Sequence, residues 1–197
     1  MFLKIQCRMK AIKLSSEKTK KVVGRRLKKA CRTRWLSLDA SVHAVNKDFD
    51  AILQTLALLE EQDATACGLL KKIRTLEFLG VIYVLHSILP ILADLSRHFQ
   101  RGSINFSAIS PAVTSTKEKL NKLLEENIPI ESLKSDIDSF TDRIDIKMST
   151  NESNEIESLF KKYVVALSSN IDNRFSEATE VLTAFALFDP LSVPATN

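Results

Sequence analysis

From Trp35 onward the large apolar residues fall at Trp35, Leu38, Val42, Val45, Phe49, Ile52, Leu56 and Leu59, separated by 3, 4, 3, 4, 3, 4 and 3 positions. An α-helix turns once in about 3.6 residues, so this spacing gathers the side chains into one stripe, whereas a strand would scatter them over both faces. Such a stripe has to be covered by other helices. Ser37 or Asp39 can cap its start, and the polar run Glu60-Glu61-Gln62-Asp63 ends it. Trp35 is in phase with the stripe, so packing just ahead of the first turn is one role open to it. Four Gly and five Pro in 197 residues are few for the tight turns of a sandwich or barrel, and 45% apolar residues suffice for a sizeable core. The fold class that follows is all-α, a bundle of long amphipathic helices.

Beyond the stripe, Asp63 is a good cap for a second segment that runs through Leu69, Leu70, Ile73 and Leu76 into Phe78 to Ala93, 16 residues without a formal charge. A bilayer-spanning helix needs about 20 apolar residues. With Glu77 and Asp94 flanking it, this stretch reads as the central buried helix of the bundle, kinked or broken at Pro90, and not as a membrane span. His86 within it reads as a hydrogen-bonded core residue, and His43, off the first stripe, as facing solvent or a partner. Gly102 suits a helix end, and Asn105 a cap for a third helix carrying Phe106, Ile109, Val113, Leu120 and Leu123, with Pro111 bending it or marking its first turn. The expected organisation is a partly helical basic leader over 1–34, a helical core over 35–126, and a polar loop or short helix over 127–153. C-terminal helices over 154–189, carrying Ile156, Phe160, Tyr163, Leu167, Ile171 and Phe175, end at Asp189-Pro190, and an extended tail covers 190–197.

Charge is divided unevenly along this plan. Residues 1–35 carry thirteen Lys or Arg against the single acid Glu17, a net +12, and the other 15 basic and 23 acidic residues leave the remainder at −8. Lys18, Lys20 and Lys21 form one cluster; Arg25, Arg26, Lys28 and Lys29 form another. Such a block suits phosphate neutralisation, anionic lipid or nuclear import, while the acidic remainder is unsuited to coating DNA. The flanking Arg32 and Arg34 could hold phosphate while the Trp35 indole stacks on an unpaired base; burial of the indole in the core is the competing role.

Catalytic patterns are missing from the sequence. There is no His-Glu-x-x-His, Gly-x-Ser-x-Gly or Cys-x-x-Cys and no phosphate-binding glycine loop around Gly24. His43, His86 and His98 are not spaced to share one helical turn, and Cys7, Cys31 and Cys67 stand far apart, without zinc-site spacing or a disulfide framework. The expectation is a protein that is not an enzyme, with no cofactor, no metal and no small-molecule substrate.

Taken in order, Leu27-Lys28-Lys29-Ala30-Cys31-Arg32-Thr33-Arg34-Trp35-Leu36-Ser37, Ala44-Val45, Leu95-Ser96-Arg97-His98-Phe99-Gln100, Ile104-Asn105-Phe106, Arg174-Phe175 and Phe188-Asp189-Pro190 resemble the hAT-type (hobo/Activator-like) transposases. More narrowly, the chain is similar to the zinc-finger-type proteins derived from those transposable elements. The likeness covers most of the chain, with Thr33-Arg34-Trp35-Leu36-Ser37 its most specific part. It implies a ribonuclease-H-like catalytic domain with an Asp, Asp, Glu metal site, interrupted by a large helical insertion, and this chain matches mainly that insertion. No acidic residue here can be assigned to the metal site, and the implied zinc-finger and dimerisation segments would lie upstream and downstream. The resemblance also implies that Trp35, with Arg34, matches a residue that stabilises a flipped base.

The resulting expectation is a catalytically inactive fragment or domesticated remnant of such a transposase, binding DNA through Arg25, Arg26, Lys28, Lys29, Arg32, Arg34 and Trp35. The alternative is a nuclear helical protein-interaction scaffold without direct DNA contact, whose seam from Leu38 to Leu59 docks another helix. Either protein would be nuclear, or otherwise cytoplasmic. Its partners would be DNA, or a protein or second copy held through the helices, and no membrane.

Overall fold

The computed structural model describes residues 35–100, 108–144 and 149–186. It is all-α, with seven helices among the described residues: α1 (Trp35–Lys47), α2 (Phe49–Leu59), α3 (Ala64–Ile73), α4 (Leu76–Gln100), α5 (Ile109–Glu125), α6 (Ile128–Ile144) and α7 (Thr150–Ala186).

The stripe predicted from Trp35 becomes α1 and α2. Val42, Val45, Phe49, Ile52 and Leu56 are buried at the predicted phase. The two helices are separated only at Asp48, where backbone bonds from Asp48 N to Ala44 O and from Ile52 N to Asp48 O keep them nearly continuous. Helix α1 begins at Trp35 itself, so Ser37 and Asp39 lie inside the helix and do not cap it. The Ser41 hydroxyl donates back to the Ser37 carbonyl at 2.8 Å, a bond that lets a buried hydroxyl sit within the stripe.

Asp63 caps α3 as predicted, its carboxylate accepting the Thr65 N–H at 2.7 Å. The segment expected to continue into the apolar run instead stops at Arg74. Thr75 then starts α4, its hydroxyl accepting the Phe78 N–H at 3.2 Å and its carbonyl the Leu79 N–H. Helix α4 runs unbroken through Pro90, which is exposed and lacks the N–H that would have met the His86 carbonyl.

Helix α4 is the axis of the molecule and packs against α1, α3, α5, α6 and α7. It is long and apolar enough to cross a membrane, with mean hydropathy 1.9 over its most apolar window, yet 61% of that window is buried by the other helices. Helix α1 lies antiparallel to it: His43 meets His86, and Phe49, just past α1, meets Phe78 at 6.2 Å between ring centres. Helix α7 lies parallel to it, with Gly80 beside Ile156 and Phe99 stacked on Phe175 at 5.4 Å. Helix α5 returns along both, fastened by Lys117 to Asp172 at 2.6 Å and by Lys119 to Asp94 at 3.6 Å.

Two regions differ from expectation. Residues 127–153, expected as a polar loop or short helix, hold α6, seventeen residues long, whose Ile130, Leu133 and Ile137 join the core. That core therefore extends past 126, through Ile156, Phe160, Val164 and Ile171 of α7. The third helix starts at Ile109 after Ala108, which makes no side-chain cap, and not at Asn105; Pro111 falls in its first turn. The leader, Gly102, Asn105, the stop at Asp189-Pro190 and the 190–197 tail lie outside the described residues.

Candidate functional site

Of the residues marked as DNA contacts, Arg25, Arg26, Lys28, Lys29, Arg32 and Arg34 lie outside the described residues. Trp35 is placed as the first residue of α1. The first turn of this helix contains no acidic residue. Its N-terminal N–H groups thus contribute their positive partial charge without a carboxylate to cancel it. By the antiparallel register with α4, this end of α1 lies toward the C-terminal end of α4.

Two turns along α1, His43 meets His86 of α4. His43 Nδ1 and His86 Nε2 are 3.1 Å apart, the ring centres are 5.4 Å apart, and the planes differ by 21°. The distance between ring centres is the N···N distance extended by one centre-to-nitrogen radius at each end. That is the largest value this N···N contact allows, so both nitrogens lie on the line joining the rings. The imidazoles therefore meet edge to edge in a linear N–H···N bond and do not overlap face to face. One ring donates and the other accepts.

His86 is half-buried while His43 is exposed. Burial holds the His86 pKa below the ordinary imidazole range, the neighbouring His43 lowers it further, and Asp39, one turn before His43, pulls it back up. The sequence placed His86 as a hydrogen-bonded residue and His43 toward solvent or a partner. It missed that the two bond each other across 43 positions, because spacing within one helix says nothing about a neighbour. The only signal available was the antiparallel alignment of two apolar helices, which brings Phe49 to Phe78 and, six residues back along α1, His43 to His86.

No family model, curated protein or solved structure matches this chain.

A further polar contact joins α4 to α6, where the Tyr83 hydroxyl donates to Asp136 Oδ2 at 2.7 Å. Burial of the ring, followed by the bond to Asp136 and its charge, holds the phenol well above its usual pKa, so it stays protonated and serves as a donor. Among the described residues, no three His, Cys, Asp or Glu side chains are grouped to hold a metal ion. An open hollow on α7 is lined by Glu155, Ser158, Leu159, Lys162 and Tyr163, with Leu159 half-exposed. The arrangement offers proton exchange at one imidazole pair.

Proposed function

We propose that the chain is a catalytically inactive fragment or domesticated remnant of a hAT-type transposase, a helical module that holds DNA through its basic leader. The observation that carries this reading is the change of charge at Trp35, from +12 before α1 to −8 after it. Attraction to phosphate is thereby confined to one end of the chain, next to a helix start free of acid. The lysines of the bundle support the same division, since Lys117, Lys134 and Lys161 are engaged by Asp172, Glu131 and Glu157. The ordered resemblance from Leu27 to Pro190 supports the descent. The clusters at Lys18 to Lys21 and Arg25 to Lys29 suit nuclear import. The coverage of α4 by five helices accounts for its hydropathy without a bilayer.

The test is binding to duplex and to hairpin DNA across a salt series. Neutralising Arg25, Arg26, Lys28 and Lys29 together is expected to weaken both and to flatten the slope of log K against log salt by up to about 3 to 4. Trp35→Ala is expected to cost about 1 to 3 kcal/mol on a hairpin that presents an unpaired base, and less on duplex. Unchanged affinity after neutralisation at moderate salt sinks the DNA reading.

The scaffold alternative keeps one observation in its favour, the exposed Leu58, Leu159 and Val165. The seam from Leu38 to Leu59 is largely occupied, because Val42, Val45, Phe49, Ile52 and Leu56 are buried within the protein itself. Light scattering that returns a monomer at all concentrations would count against it.

A further inference from the structure

We propose that His43 and His86 form a shared-proton latch that fastens α1 to α4 and opens in acid. Helix α1 is held chiefly by α4, with a smaller contact to α2. The imidazole pair is a side-chain hydrogen bond that crosses from α1 to α4.

Proton bookkeeping on the pair sets its behaviour. In the neutral pair one inner nitrogen donates and the other accepts, the accepting ring carries its own proton on its outer nitrogen, and the donating ring has a free outer lone pair. The first added proton goes to that outer lone pair. The donor becomes an imidazolium, the inner bond survives, and it becomes charge-assisted. The second proton has only the accepting inner nitrogen left. Taking it breaks the bond and leaves two imidazolium N–H groups facing each other across a gap that was 3.1 Å. The latch therefore tolerates one proton and fails at two.

The surroundings leave this second step unrelieved except by one carboxylate. From α1, Asp39 acts on His86 in favour of the charged form, His43 acts against it, and Lys47, one turn beyond His43, is exposed. From α4, the positions one turn away are Ile82 and Pro90, which carry no charge. Helices α2, α3, α5, α6 and α7 supply no charge acting on His86 among the described residues. Half-burial of His86 opposes its charged form, which agrees in direction with a depressed second step. A group whose pKa falls on folding contributes stability that is present above its unfolded value, about 6.5, and is lost as pH falls through the folded value. Opening thus belongs to the acid side of neutrality. The inference is independent of what the leader binds.

The experiment is an imidazole NMR titration of the full chain from pH 8 to 4.5, combined with amide-exchange protection factors at pH 7.5 and pH 5. Expected in the unmodified protein are two coupled steps at least about one pH unit apart. Once the second step is complete, the α1 amides should have lost protection by roughly tenfold for each unit by which that step lies below the unfolded value, about 6.5, while α4 amides at Ile82 and Ile88 keep theirs. In His43→Gln the remaining His86 should titrate in one step, higher than its step in the pair, and the acid loss of α1 protection should shrink to what burial of His86 alone contributes. Independent titration of the two rings in the unmodified protein overturns the latch. So does an acid loss of α1 protection that stays as large in His43→Gln and in His86→Gln as in the unmodified protein.

Discussion

Two helical glycines carry opposite expectations for the same substitution. A Cβ added at Gly68 in α3 meets nothing within 4 Å, so Gly68→Ala removes only the entropic cost of glycine and should stabilise by about 0.5 to 1 kcal/mol. At Gly80 in α4 the added carbon would stand 2.7 Å from Cδ1, 2.8 Å from Cγ2 and 3.1 Å from Cγ1 of Ile156, a side chain that is itself buried. Gly80→Ala should therefore cost about 1 to 3 kcal/mol through overpacking. In an Ile156→Ala background, which removes all three atoms, the same change should become neutral or favourable. Urea unfolding of the four chains of this cycle checks it, and equal effects of Gly80→Ala in both backgrounds would refute the contact. Tyr83 gives a second expectation at this scale. Its phenol ionises less readily folded than unfolded, so its contribution is complete below the unfolded value near 10 and declines as pH rises beyond it. Tyr83→Phe should cost about 0.5 to 1.5 kcal/mol at pH 7 and lose less stability than the unmodified protein between pH 9 and 11, as read by thermal melts.

At the scale of elements, what the sequence revealed depends on whether each signal is local. The 3-and-4 spacing from Trp35 to Leu59 predicted α1 and α2 because burial of a stripe leaves the same trace at every turn, and Asp63 predicted its cap because an N-cap bonds two residues ahead. Two local signals passed unread. Thr75 stands between Ile73 and Leu76, so the apolar spacing of Leu69, Leu70, Ile73 and Leu76 carries across the break between α3 and α4 and hides its cap. Ser149 and Glu152 form a reciprocal capping box, with Ser149 Oγ accepting the Glu152 N–H at 3.3 Å and Glu152 Oε2 accepting the Ser149 N–H at 3.1 Å. Its Ser-x-x-Glu pattern stands in the sequence at the end of the stretch expected as a polar loop or short helix. The full length of α6 is less legible for a different reason: its buried residues are only Ile130, Leu133 and Ile137 in the described part, a narrow stripe in an acidic segment. Leu133 is fully buried, so Leu133→Ala should cost about 2 to 5 kcal/mol in urea unfolding if α6 belongs to the core. A cost below about 0.5 kcal/mol, the level of a surface change, would return the segment to the status of a loop. The histidine pair was beyond local reading altogether, since it exists only through the register of α1 on α4.

For the whole molecule the decisive property is that one core runs from α1 to α7. Val45 of α1, Leu79 and Ile88 of α4, Leu120 of α5, Leu133 of α6 and Phe160 of α7 belong to a single buried cluster, and α4 touches every helix in that series. Burial this continuous couples the ends, because separating any outer helix from α4 exposes apolar surface on both. Trp35 opens α1 and is the chain's single tryptophan, so its fluorescence reports one end of the molecule, while far-UV circular dichroism reports all the helices. Near neutral pH, with the imidazole latch closed, the two signals should show coincident urea transitions. Phe160→Ala, at the fully buried α7 position, should move both midpoints together by an amount equal to about 3 to 5 kcal/mol, although α1 and α7 are joined through α4. A tryptophan transition that stays in place while the dichroism shifts would mean that α1 folds apart from the rest. The leader would then be anchored to an independent helix pair and not to the bundle.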